Sequence, residues 1–339
     1  MVRESTWSNE DLGSYYEYSP EIRQLLLRIL YPSRPRKQYI KQYVEKKIGD
    51  ILIAMPPEKI FPILESFSKK SYGFLETGLS KDFLTSVAQE YSLNIRDNKE
   101  MIQKYNIQEA IEWWSRTGIS WRKWWEYDFF TERYEFLYCG DDYKTINAMY
   151  KSASPEVRSF LRWCKKIYIH CMLSYYAFLE GYKILIEQTF QQDEEKKQKY
   201  IALVDGLLST KPKWRLSFWD YRVPENESVI AEWHTDSTLF NMVLYEDSQG
   251  IQANNIDIIK ERWDIRDSTW YKYVDIPDKH GLFMCGRPIG KYPTFWLCPT
   301  PHRVENNKNT RLSIWFSFME EKYFSEVVQK IYKKIYGAS

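Results

Sequence analysis

The stretch Ala231–Gln252, AEWHTDSTLFNMVLYEDSQGIQ, holds a His-x-Asp pair, His234 and Asp236. In an extended strand, residues two apart project to the same face, so an imidazole and a carboxylate would enter one pocket side by side. A further imidazole, His302 in PTPHRV, completes a candidate set of two histidines and one carboxylate. Such a set occupies one face of a six-coordinate Fe(II) and leaves the remaining positions open for substrate and oxygen chemistry. Arg311 and Ser313, in TRLSIWFSF, are again two apart. A guanidinium recognises a carboxylate in bidentate fashion, and a hydroxyl on the same face adds a bond, so this pair suits a carboxylate-bearing co-substrate. On an earlier run Ser217, Trp219 and Tyr221 share one face by parity. Trp219 or Tyr221 could complete the floor of the site, and a place in the core is as good a reading. The other two histidines read differently. His170 falls within a long helical pattern, as a structural histidine would, and His280 lies in PDKHG, a turn by composition.

The elements that must position these residues fall into two halves. The first half reads as helical. EIRQLLLRIL has apolar residues at helical spacing, and IGDILIAM is a short β-rich run. EKIFPILESFSKKSYGFLETG and LSKDFLTSVAQEYSLNI then carry helical patterns, with Ser80 as N-cap of the second. The aromatic-dense stretch IQEAIEWWSRTGISWRKWWEYDFF reads as a helix followed by a loop packed on the core, or alternatively as a cover over the site. Ser154-Pro155-Glu156 opens the longest helix, residues 154–192, apolar over a broad face as a helix buried against a sheet would be. QQDEEKKQK, at 191–199, is a solvated connection.

From about residue 213 the pattern changes to short β-rich runs between turn residues: WRLSFWDYRV, SVIAEWHTD, FNMVLYED, GIQA, KYVDIP, GLFMCG, TFWLCP, PHRVEN and RLSIWFSF. Strands in that number and spacing predict a double-sheet jelly roll. The expected class is therefore α+β, with a double-stranded β-helix core. The expected division is a mostly helical region over 1–205, a catalytic jelly roll over 206–320 and an amphipathic C-terminal helix over 321–339.

Bulk properties bound the function. The chain has 339 residues, 44% hydrophobic and 28% charged, which describes an ordinary globular protein with length for a large core. A net charge of +2 offers no general attraction to nucleic acid or anionic membrane. Aromatic residues make up 17%, enough to fill a core and also to line an apolar pocket. No signal-like apolar core opens the sequence and no apolar run is long enough to span a bilayer. The five cysteines have no metal-ribbon spacing and read as reduced thiols of a cytoplasmic protein.

On its motifs the chain resembles the isopenicillin N synthase-like branch of the Fe(II)/2-oxoglutarate-dependent dioxygenases. His-Thr-Asp at 234–236, Gly-Ile-Gln at 250–252, His-Arg-Val at 302–304, Arg-Leu-Ser at 311–313 and the spacing from Gly286 to His302 carry the resemblance in the C-terminal half. In the N-terminal half, SKKSYGFLETGLSKDFLTSVAQEYSLNIRDNKE and SPEVRSFLRWCKKIYIHCMLSYYAFLEGY are similar to the family's helical segments. The resemblance implies that His234, Asp236 and His302 hold iron and that Arg311 and Ser313 bind the distal carboxylate of 2-oxoglutarate. It also implies oxidative decarboxylation to succinate and CO₂, coupled by way of O₂ to hydrogen abstraction from a small-molecule substrate. Hydroxylation, desaturation and oxidative ring closure all begin with that abstraction. Retention of Asp236 disfavours halogenation, for which a small residue replaces the carboxylate.

There are departures from the family pattern. Glu76-Thr77-Gly78 stands where Asn-His-Gly is usual, and Arg287 follows Gly286 where an Asp is usual. Trp219 stands where a co-substrate-contacting Tyr is common, although a register shift would supply Tyr221. Trp121, Trp124, Trp125 and Arg287 are candidates to contact the substrate, and residues 253–268 are extra length that either caps the pocket or elaborates the surface. Three other readings compete: a non-catalytic jelly-roll binding protein, a zinc hydrolase on the same ligands, and an oxidase of the same branch that does without 2-oxoglutarate.

Overall fold

The computed structural model describes residues 56–107, 116–126, 129–140, 142–209, 213–222, 229–254, 271–292, 294–305 and 310–319. The helix read at EIRQLLLRIL, the strand read at IGDILIAM, the extra length beyond Asn254 and the C-terminal helix lie outside these residues.

Helix α1 (Pro57–Lys70) begins with Pro in its first turn and Glu58 near its positive end, and it buries Ile60, Ile63, Leu64 and Phe67. The helical pattern expected to run on through SYGFLE stops at Ser71, which takes a left-handed conformation with φ 62°. Tyr72–Glu76 is instead strand β1. Gly73 is a poor helix former, and the segment finds backbone partners along a sheet edge, so pairing overrides a weak local preference. Helix α2 (Lys81–Asn94) starts as expected, with Ser80 Oγ accepting from the Phe83 amide at 3.3 Å, and the short α3 (Lys99–Lys104) follows.

The aromatic-dense stretch corrects the sequence reading. Where a loop was expected in the later part of this stretch, there is an antiparallel hairpin of β2 (Gly118–Glu126) and β3 (Phe129–Tyr138). Trp, Phe and Tyr suit a pleated surface, and β3 gains a second partner in β4 (Lys213–Arg222), so the aromatics extend a sheet. Trp121, Trp124 and Trp125 all belong to β2, the outermost strand.

After α4 (Tyr143–Ser152) comes α5 (Pro155–Thr189), capped by Ser154 Oγ on the Val157 amide. It buries residues around most of its circumference, as a helix does when it is covered on several sides. The charged connection leads into α6 (Glu194–Ser209). The remaining strands are β5 (Val229–His234), β6 (Phe240–Glu246), β7 (Ile251–Asn254), β8 (Tyr271–Tyr273), β9 (His280–Cys285), β10 (His302–Glu305) and β11 (Thr310–Met319). TFWLCP, expected as a strand, is irregular. It follows a 3₁₀ turn at Arg287–Lys291, and Trp296 within it has φ 67°, which no strand accommodates.

Two antiparallel sheets result, ordered β1-β9-β6-β11-β4-β3-β2 and β5-β10-β7-β8, the expected double-stranded β-helix with helices on one side. The large sheet has two different faces. Leu216, Phe218, Phe240, Met242, Phe283, Phe316 and Phe318 belong to the core that includes α5, where Tyr175 stacks on Phe318 and Phe178 meets Phe283 edge-on. Much of the aromatic excess is spent in this layer. Val243, Leu282, Met284 and Trp315 form a second core with Ile251, Ala253 and Val274 of the small-sheet side. Alternation along each strand thus assigns one parity to the helices and the other to the space between the sheets, where the candidate residues lie.

Candidate metal centre

His234 ends β5 and His302 begins β10, and antiparallel pairing sets the two directly opposite each other. Their rings lie 4.4 Å apart, centroid to centroid. Asp236 follows just past the end of β5, with Oδ1 3.5 Å from His234 Nε2 and Oδ2 3.5 Å from His302 Nε2. One ligand atom from each residue lies within 4.8 Å of the others. The pair two apart in sequence and the distant histidine therefore converge, through a strand register, on one point.

Protonation favours the same outcome. His302 is buried, and its Nδ1 lies 3.1 Å from the Thr300 carbonyl. A carbonyl only accepts, so Nδ1 carries the proton and Nε2 keeps a lone pair aimed at the cluster. Nε2 has no hydrogen-bond partner among the described residues, an orphaned acceptor of the kind a cation satisfies. Burial lowers this imidazole to about 4, against the pull of Asp236, so it is neutral near pH 7. Burial would raise the Asp236 carboxyl, but both imidazoles and Asn241 outweigh it and hold it at about 2. Two imidazoles and a carboxylate, mutually within reach, are the donor set that Fe(II) accepts.

The backbone around Asp236 is pinned. Its carbonyl accepts from the Arg287 amide at 2.8 Å, and Gly286 N–H donates to the Leu239 carbonyl at 2.9 Å. Arg287 Nη2 donates to the Thr235 carbonyl at 3.3 Å, so this exposed cation sits at the rim of the cluster. Asn241, on β6, donates from Nδ2 to Asp236 Oδ2 and fixes the carboxylate's orientation. Sequence reasoning passed over Asn241. The available signal was its place five residues after Asp236 at the start of an otherwise apolar strand, where an amide needs a reason to be buried.

Arg311 and Ser313 lie on the inner face of β11, with Tyr221 and Trp219 their direct neighbours on β4. Arg311 is fully buried, and its guanidinium lies 5.8 Å from the Tyr221 ring centre. Burial lowers Arg311 to about 10, with Tyr221 acting in the opposite sense, and the group remains a cation at neutral pH. Trp219 stacks on Trp315, centroids 4.5 Å apart, and Trp315 Nε1 donates to Ser313 Oγ at 2.8 Å. Gly250 allows the close approach of this group. A Cβ there would lie 2.9 Å from Arg311 Nε and 2.7 Å from the Glu305 carbonyl oxygen.

One partner of Arg311 was not anticipated. Glu246 Oε1 forms a buried ion pair with Arg311 Nη2, while the Gly250 and Ile251 amides lie 3.5 and 3.4 Å from its Oε2. A bulge explains why parity missed it. Along β6, Asn241 and Val243 face Ser317 and Trp315, but Tyr245 faces Ile314 and Glu246 faces Ser313, so Leu244 is the extra residue. The extra residue turns Glu246 from the helix side to the inner side, the usual effect of a bulge near a site. His170, as expected, is structural, with Nδ1 2.9 Å from the Thr77 carbonyl. His280 begins β9, and its Nδ1 meets the Asp278 carbonyl at 2.8 Å.

No family model matches the chain. One curated protein, a 6-carboxyhexanoate–CoA ligase from Lysinibacillus sphaericus, is 28% identical over 110 residues, 32% of this chain, and the match spans only 43% of that relative. Solved structures align over far more. A structure of JOX2 in complex with 2-oxoglutarate, iron and JA superposes with a TM-score of 0.53 at 12% identity, covering 78% of this chain and 72% of that one. A complex of AtDAO1, a dioxygenase for auxin oxidation from Arabidopsis thaliana, with 2-oxoglutarate gives 0.50 at 14% identity over 78% and 87%. A full-length Neurospora crassa protein in complex with α-ketoglutarate and 5-formyluracil gives 0.50 at 13% over 78% and 79%. The chain has the fold of these 2-oxoglutarate-bound proteins.

Proposed function

We propose that this protein is an Fe(II)/2-oxoglutarate-dependent dioxygenase that oxidises an unactivated C–H bond of a small molecule, in specialised or amino-acid-derived metabolism. The observation that carries the reading is the convergence of His234, Asp236 and His302, with His302 Nε2 left as a buried lone pair toward the centre. These three residues would hold the iron. Arg311 and Ser313 would receive the distal carboxylate of the keto acid, with Tyr221 and Trp219 as the wall beside it. Iron held there would supply the redox chemistry for O₂-dependent decarboxylation of the 2-oxo acid to succinate and CO₂. The chain's own contribution is positional: Asn241 orients the Asp236 carboxylate, the Thr300 carbonyl fixes the His302 tautomer, and the Trp219–Trp315 stack keeps water from the wall. The ligands in the complexes of similar fold support the co-substrate assignment. A cytoplasmic setting fits five free cysteines.

A second reading, an oxidase of the same fold that needs no 2-oxoglutarate, is favoured by one observation: Arg311 already faces a carboxylate in Glu246. The test is incubation with Fe(II), ascorbate and 2-oxoglutarate while succinate is followed, with His302→Ala in parallel. The proposal expects succinate from the native chain and none from the variant. Equal succinate from both, or none from either, overturns it.

A further inference from the structure

We propose that Glu246 is a specificity-determining residue of the co-substrate site, a built-in carboxylate that competes with the incoming keto diacid for Arg311. This rests on the reading of Arg311 given above and adds what sets its selectivity. The Arg311 side chain is fully buried and that of Glu246 is 5% exposed, so each neutralises the other away from water. A buried cation is a strong anion receptor only while its charge is uncompensated. Here the compensating charge is part of the fold. The bulge at Leu244 turns Glu246 inward, and the Gly250 and Ile251 amides steady its second oxygen.

The arrangement does not close the site. Arg311 Nη1 has no hydrogen-bond partner among the described residues, and Ser313 Oγ, which accepts from Trp315, retains its own proton to donate. A second carboxylate can therefore approach the guanidinium from that side. It then shares one cation with Glu246 and meets a like charge at short range. Repulsion between two carboxylates in a partly dry site weakens binding by about tenfold or more at an effective dielectric constant of about 20. A 2-oxo acid without a distal carboxylate does not meet this opposition. Glu246 thus lowers the chain's preference for a dicarboxylic over a monocarboxylic 2-oxo acid.

The experiment compares the full-length chain with its Glu246→Gln variant, which keeps shape and removes charge. Binding of 2-oxoglutarate and of 2-oxopentanoate, the same chain ending in a methyl group, is titrated anaerobically with Fe(II), by the visible charge-transfer band and by tryptophan fluorescence. In the Gln variant 2-oxoglutarate is expected to bind at least tenfold tighter and 2-oxopentanoate to within about twofold of the native value. Without metal, 2-oxoglutarate is expected to raise the Tm of the variant more than that of the native chain, because it restores the lost negative charge. A merely structural Glu246 would shift both ligands alike. Unchanged or weaker 2-oxoglutarate binding in the variant overturns the proposal while leaving the enzyme assignment in place. Absence of 2-oxoglutarate binding in both proteins overturns the co-substrate reading itself, and this inference with it. Should the Gln variant fail to fold, Glu246→Asp, one methylene shorter and drawn back from the guanidinium, is titrated instead; a gain specific to 2-oxoglutarate supports the proposal and no gain refutes it.

Discussion

Asn241→Ala is the most informative perturbation of the candidate metal centre, because it removes none of the candidate donor atoms. The Asn241 amide donates to Asp236 Oδ2, the same oxygen that faces His302 Nε2. Asn241 is 4% exposed, so water does not readily replace the lost donor. A hydrogen bond to a charged group is worth about 1.5–3 kcal/mol. Its loss frees the carboxylate to rotate away from the geometry the two imidazoles impose. Partners of metal ligands typically change metal affinity by about 10–100-fold when removed, which matches that energy range. Titration of the metal-free protein with Fe(II) under anaerobic conditions, or with Co(II) as a spectroscopic substitute, is expected to show weakening of that order. The circular dichroism spectrum should be unchanged, because the β6 backbone pairing to β9 and β11 does not depend on the side chain. An affinity within twofold of the native value would show that Asp236 is held by the backbone alone and that the amide is incidental.

Gly286→Ala should be far more disruptive than its small size suggests. An added Cβ would stand 1.7 Å from the Thr238 carbonyl oxygen and 2.8 Å from that of Asp236, both backbone atoms, so the segment carrying Asp236 must move. Loss of metal binding together with a marked fall in Tm is expected, and a variant that melts and binds metal normally would contradict the packing described. Acid should destabilise the metal-free protein in two stages. His302 is held at about 4 in the folded state, below the ordinary value of about 6.5, so the unfolded chain binds the proton first and stability falls between those limits, by about 3 kcal/mol from this group. Asp236, held at about 2, contributes stability above its unfolded value of about 3.9 that is lost as pH falls toward 2. Urea melts from pH 7.5 to 4 test the first stage, and a flat profile would count against a buried neutral imidazole. Among the thiols, burial pushes Cys164, Cys171 and Cys285 well above their ordinary range. Native-state alkylation at pH 8 should therefore label the partly exposed Cys298 first and these three only after unfolding, as read by peptide mass spectrometry.

What the sequence disclosed followed from how local the underlying physics is. Strand parity put Arg311 with Ser313, whereas Asp236 meets His234 from just past the end of β5, and the hydrophobic runs placed β4, β5, β6, β9 and β11 near their observed positions. The cap at Ser154 and the length of α5 were legible for the same reason. Three features were not. SYGFLE and the stretch after Ser115 have helical or ambiguous patterns, and become strands because β9 and β4 offer edges to pair with. TFWLCP has strand-like composition but no strand beside it, and its aromatic rings pack instead: Phe295 on Phe190 and Tyr200, Trp296 on Phe61. Glu246 was hidden by a single inserted residue, since a bulge inverts every parity argument beyond it.

The two ends of the site are joined by Trp315, and that connection has a consequence for how they act together. Its indole N–H holds Ser313 Oγ, its ring stacks on Trp219, and its ring centre is 6.2 Å from that of His302. It is 1% exposed, so its position is set by packing and not by solvent. A ligand that engages Arg311 and Ser313 therefore presses on an aromatic wall whose other side borders His302, a candidate metal ligand. Trp315→Phe keeps an aromatic ring in that wall and removes the donor, so Ser313 gains a free lone pair while His302 keeps an aromatic neighbour. Metal affinity should stay within about twofold while keto-acid binding changes by the worth of one hydrogen bond, about 0.5–1.5 kcal/mol. Titrating metal and keto acid separately in this variant reads the two effects apart. If metal affinity fell as much as keto-acid affinity, the indole would be positioning His302 directly, and the two ends would be a single mechanical unit.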